Sequence, residues 1–496
     1  VKLAFGEMIL RLAIVKSVII LFAAAVQFAC PLSKASAAVS DNIWYSIYAN
    51  GNRIGTEHSW SQPDAYNGQI ATEHFSDTST SLVAFGVSIE QKVTGRVWVD
   101  AVASTPLFET FKIDSGGAST AVTAQYFPDH IDVKLLSGVS VTHKTVTIPP
   151  GVKISGSDMV LGVSSGAPLS KGQVITEAMF DPLTLQLNTY TITVQDVGQS
   201  LDDPYLGHLK DLAVCNVTGP EGAMSVYQDT AGSPVLITMA AGLVMRRDPP
   251  AGASQLSTAT SVEHGAVPYS PPGDFAVATA VAQAGVAITD PRACRYLKVE
   301  LTTSGQSPRT VEVRTVEAKG SSASISDVAA AGNMAPYLAD AAYLSLDDPA
   351  ISKEASILRG NSTALIELVG RTRQWVHQTM RPTISLGLPR SAASILQDPR
   401  GVCRDYAILY TALARAEGVP TRICAGLVAF RDKFYYHAWA ESYIGGPTGW
   451  LPVDATMDSG TVDATHIPLS RGNPAAIFDV ASQIGHVQAR IIDASY

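Results

Sequence analysis

Cysteine is scarce in this chain: there are five in 496 residues, and no two form a CxxC pair. The ten histidines include no HExxH pair, and no acidic loop has EF-hand spacing. These gaps argue against a structural zinc or calcium site, so no metal and no other cofactor is expected. Charge is sparse as well, at 16% of residues, with a net charge of -9 and no run of lysine or arginine. Such a surface does not suit a phosphate backbone, so nucleic acid is not an expected partner. Glycine-rich phosphate loops are missing, and no repeat of solenoid length is visible.

Long apolar runs are also missing, apart from residues 17–29. Arg11 and Lys16 precede that run, and Ala35-Ser36-Ala37 follows it as a small-residue cleavage signal. The run is short for a bilayer span. Residues 1–37 therefore read as a signal peptide cleaved near Ala37, with an uncleaved anchor as the other reading. Cys30 invites a lipoprotein reading, but Gln27-Phe28-Ala29 matches poorly what precedes a lipidated cysteine. The expected location is periplasmic or secreted, with no membrane span after cleavage. In an oxidising compartment Cys215, Cys294, Cys403 and Cys424 have three possible pairings. A Cys215–Cys294 bridge would leave Cys403 free, and Cys424 is expected as a buried strand residue.

From residue 42 to 248 the sequence is nearly all strands and turns. Ile43 to Ala49 alternates and runs into Asn50-Gly51, a hairpin signal. Residues 87–99, 108–113, 131–135, 190–197, 223–228 and 234–239 continue the pattern, and helical periodicity is almost absent. This predicts an antiparallel all-β domain, strongly curved. Residues 249–273, rich in Pro, Gly, Ser and Ala, read as a linker. Residues 274–335 are expected as a connecting β segment, and 336–496 as a second domain. In that last part Asp347-Asp348-Pro349 opens helical sequence. Residues 363–380 form an amphipathic helix with Leu365, Leu368, Val369, Trp375 and Val376 toward a core.

The densest signal lies between Gly401 and Thr456. Cys403 follows the loop Asp398-Pro399-Arg400-Gly401 and opens a run of good helix formers that ends at Gly418 and Pro420. A cysteine in the first helical turn meets unpaired N–H groups and the positive dipole end, which favour a thiolate; its own N–H can also serve an oxyanion. Residues 421–430 and 434–443 read as strands around the polar turn Arg431-Asp432-Lys433. A hairpin centred on Gly445-Gly446 would set His437 directly opposite Asp454. A histidine oriented by a carboxylate and facing a helix-start cysteine is an activated nucleophile.

The segments GVCRDYAILYTALARAEGVPTR, YYHAWAE and GWLPVDAT resemble, in that order, the core of the transglutaminase-like superfamily over about residues 364–472. The resemblance implies a C-terminal α+β papain-like fold, with Cys403 as nucleophile, His437 as base and Asp454 as its orienter. The N-terminal β domain resembles the sheet domains that precede secreted bacterial members. It shares their N-G-x-x-I-G turn (Asn50 to Gly55), F-D-P-x-T segment (Phe180 to Thr184) and D-x-x-G hairpin (Asp229 to Gly232), and some of those domains are half-barrels. Trp375 is read mainly as helix packing, and His466 of the downstream D-A-T-H-I segment as structural or rim, since no partner for it can be placed.

The expected activity is attack on a peptide or side-chain amide, in a protein or peptide substrate, through a Cys-His-Asp triad. Hydrolysis is favoured over transamidation because no acceptor-lysine site is recognisable. A transamidating cross-linker and a non-catalytic binding or assembly protein that keeps the fold are the competing readings.

Overall fold

The first strand, Ser40–Ala49, turns at Asn50 and Gly51, whose φ values of 49° and 80° are the positive pair that a two-residue hairpin requires. In this computed structural model the described residues are 40–84, 87–115, 118–138, 140–155, 169–219, 222–239, 242–248, 279–303, 307–318, 323–331, 333–383, 389–480 and 483–496. The signal segment 1–37, Cys30 and the linker 249–273 lie outside them.

Two antiparallel meanders build the N-terminal sheet. One runs from Ser40–Ala49 to Ser140–Thr147 and the other from Val174–Asp181 to Leu243–Arg247. The first strand pairs with the last, Tyr45 opposite Arg247 and Ala49 opposite Leu243, giving one nearly closed sheet of 15 strands. Alternation sends Tyr45, Val93, Phe111, Val122 and Val133 to a buried face. The mostly-β, strongly curved N-terminal domain is thus present as expected.

This sheet touches the C-terminal region through two turns. In the F-D-P-x-T segment the Asp181 carboxylate accepts from Leu183 N–H (2.7 Å), Thr184 Oγ1 (2.6 Å) and Asn188 Nδ2 (3.1 Å). The turn so fixed presents the Leu183 carbonyl to the hydroxyl of Tyr343, which donates to it at 2.6 Å in a buried setting. Nearby, Ser391 N–H donates to Ser137 Oγ at 3.3 Å. Apolar residues of both regions belong to one continuous buried core.

The second sheet has eight strands. Its order is Arg309–Arg314, Tyr296–Thr302, Gln488–Ser495, Val281–Gly285, Lys433–Gly445, Thr421–Phe430 and Ile467–Gly472, with Gly449–Val453 also paired to Lys433–Gly445. Residues 281–314, expected as a connecting segment, therefore belong to this sheet. The chain-end strand Gln488–Ser495 recruits them, pairing parallel with Val281–Gly285 and antiparallel with Tyr296–Thr302. Partners so distant in sequence leave no local signal.

Helices Pro349–Arg359, Leu365–Thr379 and Ala392–Gln397 surround the helix Cys403–Glu417, which is buried on nearly every side. The Asp348 side chain caps the first of these at Ala350 N–H. The predicted amphipathic face appears in Leu365–Thr379, where Leu365, Leu368, Val369 and Val376 are buried and Trp375 packs at the margin of the core. No helix among the described residues is long and apolar enough to cross a membrane.

Candidate active site

The cysteine helix begins from an extended Val402. The Asp405 carboxylate accepts from Val402 N–H at 3.0 Å, and Val402 C=O accepts from Asp405 N–H at 2.8 Å. This reciprocal box locks the turn that carries Cys403. Gly401 has no room for a side chain, because a Cβ there would sit 2.5 Å from the Asp405 carboxylate. At the far end Gly418, in the left-handed region with φ 94°, stops the helix as predicted.

His437 stands in the strand Lys433–Gly445, directly across from Gly426 of Thr421–Phe430. Its Nε2–H donates to Asp454 Oδ2 at 2.7 Å. The ring's other nitrogen, Nδ1, makes no hydrogen bond of normal geometry but lies close enough to the Cys403 sulfur for the two groups to interact. Catalytic hydrogen bonds are commonly this loose before substrate binds. Cys403, His437 and Asp454 are 3, 4 and 2% exposed. The structure thus brings together all three residues singled out from the sequence.

The hairpin between His437 and Asp454 has a different register from the expected one. Ala440 pairs with Val453 and Tyr443 with Trp450, and the turn is the wider Gly446-Pro447-Thr448 rather than a tight Gly445-Gly446. Asp454 therefore follows the end of its strand, two residues from the predicted pairing. A shift of two keeps every side chain on its face, so the contact with His437 survives.

Asp454 is fully engaged. Its Oδ1 accepts from Thr456 N–H (2.8 Å) and Thr456 Oγ1 (2.7 Å), and its Oδ2 accepts from His437 and from His466 Nε2 (3.3 Å). Burial works against its charge, yet His437 and the His466 hydrogen bond hold its pKa well below the usual carboxylate range. Burial likewise opposes a charge on His437. The Asp454 carboxylate and the Cys403 thiolate nonetheless raise the pKa of the ring from 6.5 to about 10. The raised pKa favours a charged ring, which stands between the Asp454 carboxylate and the Cys403 side chain.

His466, read from the sequence as structural or rim, is buried and has partners that the sequence did not place. Its Nε2 lies on Asp454 and its Nδ1 3.3 Å from Asp463 Oδ1. A signal for it existed: the chain carries Val-Asp-Ala-Thr twice, at 453–456 and 462–465. In each copy the aspartate accepts from the threonine two residues on, through N–H and Oγ1. His437, Asp454 and His466 present ligand atoms within 4.8 Å of one another, a grouping able to hold a metal ion. The hydrogen bonds among those same atoms already account for the arrangement.

The other cysteines are structural. Cys215, Cys294 and Cys424 are buried and unbridged, so the Cys215–Cys294 pair considered from the sequence is not formed. Burial pushes Cys215 up to about 11 and raises Cys294; burial and the Glu441 charge together raise Cys424 well above the ordinary thiol. Trp375 stays at the margin of the helix core.

Residues 352–455 match the model of the transglutaminase-like superfamily. The C-terminal region carries a transglutaminase-like domain, with Cys403, His437 and Asp454 all inside the matched stretch. Among solved structures, a candidate cysteine protease from Cytophaga hutchinsonii is similar at 21% identity and TM-score 0.29, over 44% of this chain and 88% of that one. A candidate protease from Parabacteroides distasonis is similar at 8% identity and TM-score 0.19, over 79% of this chain and 71% of that one. At such low scores neither carries an argument here. No curated protein matches the chain significantly.

Proposed function

We propose that this protein is a periplasmic or secreted thiol enzyme that hydrolyses amide bonds of a protein or peptide substrate through Cys403, His437 and Asp454. One observation supports the reading: His437 is buried beside Cys403 with its Nε2 2.7 Å from Asp454 Oδ2. The Cys403 thiolate attacks the amide carbon, and the carbonyl oxygen becomes an oxyanion that the Cys403 N–H at the helix start can stabilise. His437 gives its proton to the leaving amine as the C–N bond breaks, leaving a thioester. Water then attacks the thioester carbon and gives a proton to His437. Carboxylic acid leaves, and the thiolate–imidazolium pair is restored. Asp454 keeps the ring turned so that Nδ1 faces the sulfur. The apolar run at residues 17–29 with its cleavage signal supports the location.

The test offers the pure protein a peptide library together with a labelled primary amine. Cleavage without label is expected, and incorporation of the amine would identify a transamidase instead. Cys403→Ala should abolish product while leaving the melting temperature nearly unchanged. Iodoacetamide at neutral pH should label Cys403 well before Cys424. Equal, slow labelling of the two would overturn the reading in favour of a binding protein that only keeps the fold.

A further inference from the structure

Asp454 is an unusual triad carboxylate because two imidazoles share one of its oxygens. An ionised carboxylate only accepts hydrogen bonds, so His466 must carry its hydrogen on Nε2 to meet Asp454 Oδ2 at 3.3 Å. The other side of His466 is also held. Its Nδ1 faces two further acceptors, Asp463 Oδ1 at 3.3 Å and the Asp463 carbonyl at 3.2 Å, and donates to them when that nitrogen also carries a hydrogen. Asp463 Oδ2 is in turn paired with Arg292 Nη1 at 2.7 Å, and Arg292 Nη2 donates to the Ala429 carbonyl at 2.7 Å. A continuous line of polar contacts thus runs from a partly exposed arginine through Asp463, His466 and Asp454 to His437 and the sulfur. The edge of Trp439 closes it from the side, its ring centroid 5.3 Å from that of His466.

We propose that His466 is a positioning residue for this site: with Asp463 and Arg292 it fixes the orientation of Asp454 and sustains its charge, and through Asp454 the orientation of His437. This rests on the reading of Cys403, His437 and Asp454 as a working triad. The physical need is clear from burial. A carboxylate removed from water requires donors on both oxygens. Thr456 supplies Oδ1, and His437 alone would leave Oδ2 with one donor and the group freer to turn. The Nε2–H of His466 is the second donor, and it pins the carboxylate plane in which the His437 hydrogen bond lies. The ionisable groups that sense Asp454 include His437, which already donates to Oδ2, and Tyr406. Around Asp463 they are Arg292 and Cys294.

The experiment uses the full chain and needs no substrate: the rate of iodoacetamide labelling of Cys403 at pH 7, with the proton NMR resonance of the His437 Nε2–H. His466→Leu removes the donor, while His466→Gln keeps an amide N–H near the same place. The Leu variant should label about 10- to 100-fold more slowly, the scale known for second-layer partners of functional groups, and its downfield Nε2–H signal should shift or broaden. The Gln variant should stay within about threefold of the wild type on the same scale. On any hydrolysed peptide the loss should appear in kcat and not in KM. If His466→Leu does not fold, Asp463→Asn and Arg292→Ala replace it, each expected to slow labelling by roughly threefold or more on that same scale.

Wild-type labelling by His466→Leu overturns the inference, as do wild-type rates in both replacement variants. Equal slowing by Leu and Gln with an unmoved resonance would show a packing role only. A stoichiometric metal ion in the purified protein, lost in His466→Leu, would show a metal site in place of a hydrogen-bonded one. A wild-type Cys403 that fails to label defeats the triad itself, whereas a reactive wild type with indifferent variants defeats only this inference.

Discussion

Replacing Asp454 by asparagine is the sharpest test of how the site is charged. Asp454 accepts four hydrogen bonds, two from Thr456 on Oδ1 and two from imidazole nitrogens on Oδ2. Asparagine has one acceptor oxygen and one NH2 group. Thr456 N–H is a fixed backbone donor, so the oxygen stays there and the NH2 turns toward His437 and His466. To avoid two donors meeting, His437 must offer a bare Nε2 and move its hydrogen to Nδ1, the nitrogen that faces Cys403. That tautomer has no lone pair to receive the thiol proton. The rise of the His437 pKa from 6.5 to about 10 corresponds to roughly 5 kcal/mol of preference for the charged ring, one interaction counted once for the pair. Without the carboxylate, burial opposes the ring's charge and only Cys403 still favours it, so the ring should become neutral at pH 7. Turnover should fall by about 10³- to 10⁴-fold, as when other triads lose this carboxylate. Cys403 labelling at neutral pH should fall by about 10-fold or more, following the lost thiolate.

The same change should alter stability with a defined pH dependence. In the wild type the raised His437 pKa contributes stability that is complete below pH 6.5 and fades as pH climbs to about 10. The depressed Asp454 contributes stability above its ordinary range and loses it as pH falls below about 4. In the variant a buried, unpaired His437 opposes folding as pH drops below about 6.5. The difference in melting temperature should therefore be widest near pH 5 and smallest near pH 10. Melts of both proteins across that range are the measurement. A constant difference, or a variant that labels at the wild-type rate, would refute the charge assignment.

Three further outcomes are expected. Gly426→Ala would place a Cβ 2.1 Å from the Ile467 carbonyl, prising Ile467–Gly472 from its neighbour beside both His437 and His466; it should cost about 1–3 kcal/mol in denaturant melts and slow Cys403 labelling. Tyr343→Phe removes the donor to the buried Leu183 carbonyl and should destabilise the protein by about 1–3 kcal/mol, with no change if that contact is idle. Burial raises Glu417 from 4.5 to about 7 despite the hydrogen bond from Thr372 Oγ1. Its ionisation therefore opposes folding as pH rises, so Glu417→Gln should match the wild type near pH 4 and exceed it by up to roughly 3 kcal/mol above pH 8.

What could be read beforehand was whatever local chemistry enforces. The helix from Cys403 to Glu417 announced itself through a loop before it and Gly418 after it, and both ends fall where expected. The strand reading of residues 421–430 and the polar turn after it located the strand that pairs with that of His437. The exact register past Gly445 was not legible, because Pro447 widens the turn and only backbone geometry decides by how much. The side-chain face was legible all the same, since it depends on the parity of the register alone. The partners of His466 could not be placed for a different reason. They are Asp454, already given a role, and Asp463, which pairs with Arg292 from a loop more than 150 residues earlier in the chain. Contacts of that range leave composition and periodicity untouched.

The N-terminal domain poses the same problem at a larger scale. Its F-D-P-x-T segment was visible as a motif, but its task follows only from where the turn points. Asp181 gathers the turn, the turn offers the Leu183 carbonyl, and the Tyr343 hydroxyl donates to it. The Tyr343 carbonyl then receives Ala392 N–H at 2.7 Å, at the start of the short helix Ala392–Gln397 that feeds the loop before Cys403. Ser391, which caps that helix, also reaches back to Ser137 of the N-terminal sheet. Both of these hydrogen-bonded links lead to the start of the helix Ala392–Gln397. The cysteine loop is therefore positioned by two references, its own sheet through His437 and the N-terminal sheet through Tyr343 and Ser391. A domain that merely tethered the C-terminal region would not need buried hydrogen bonds behind the loop that carries Cys403.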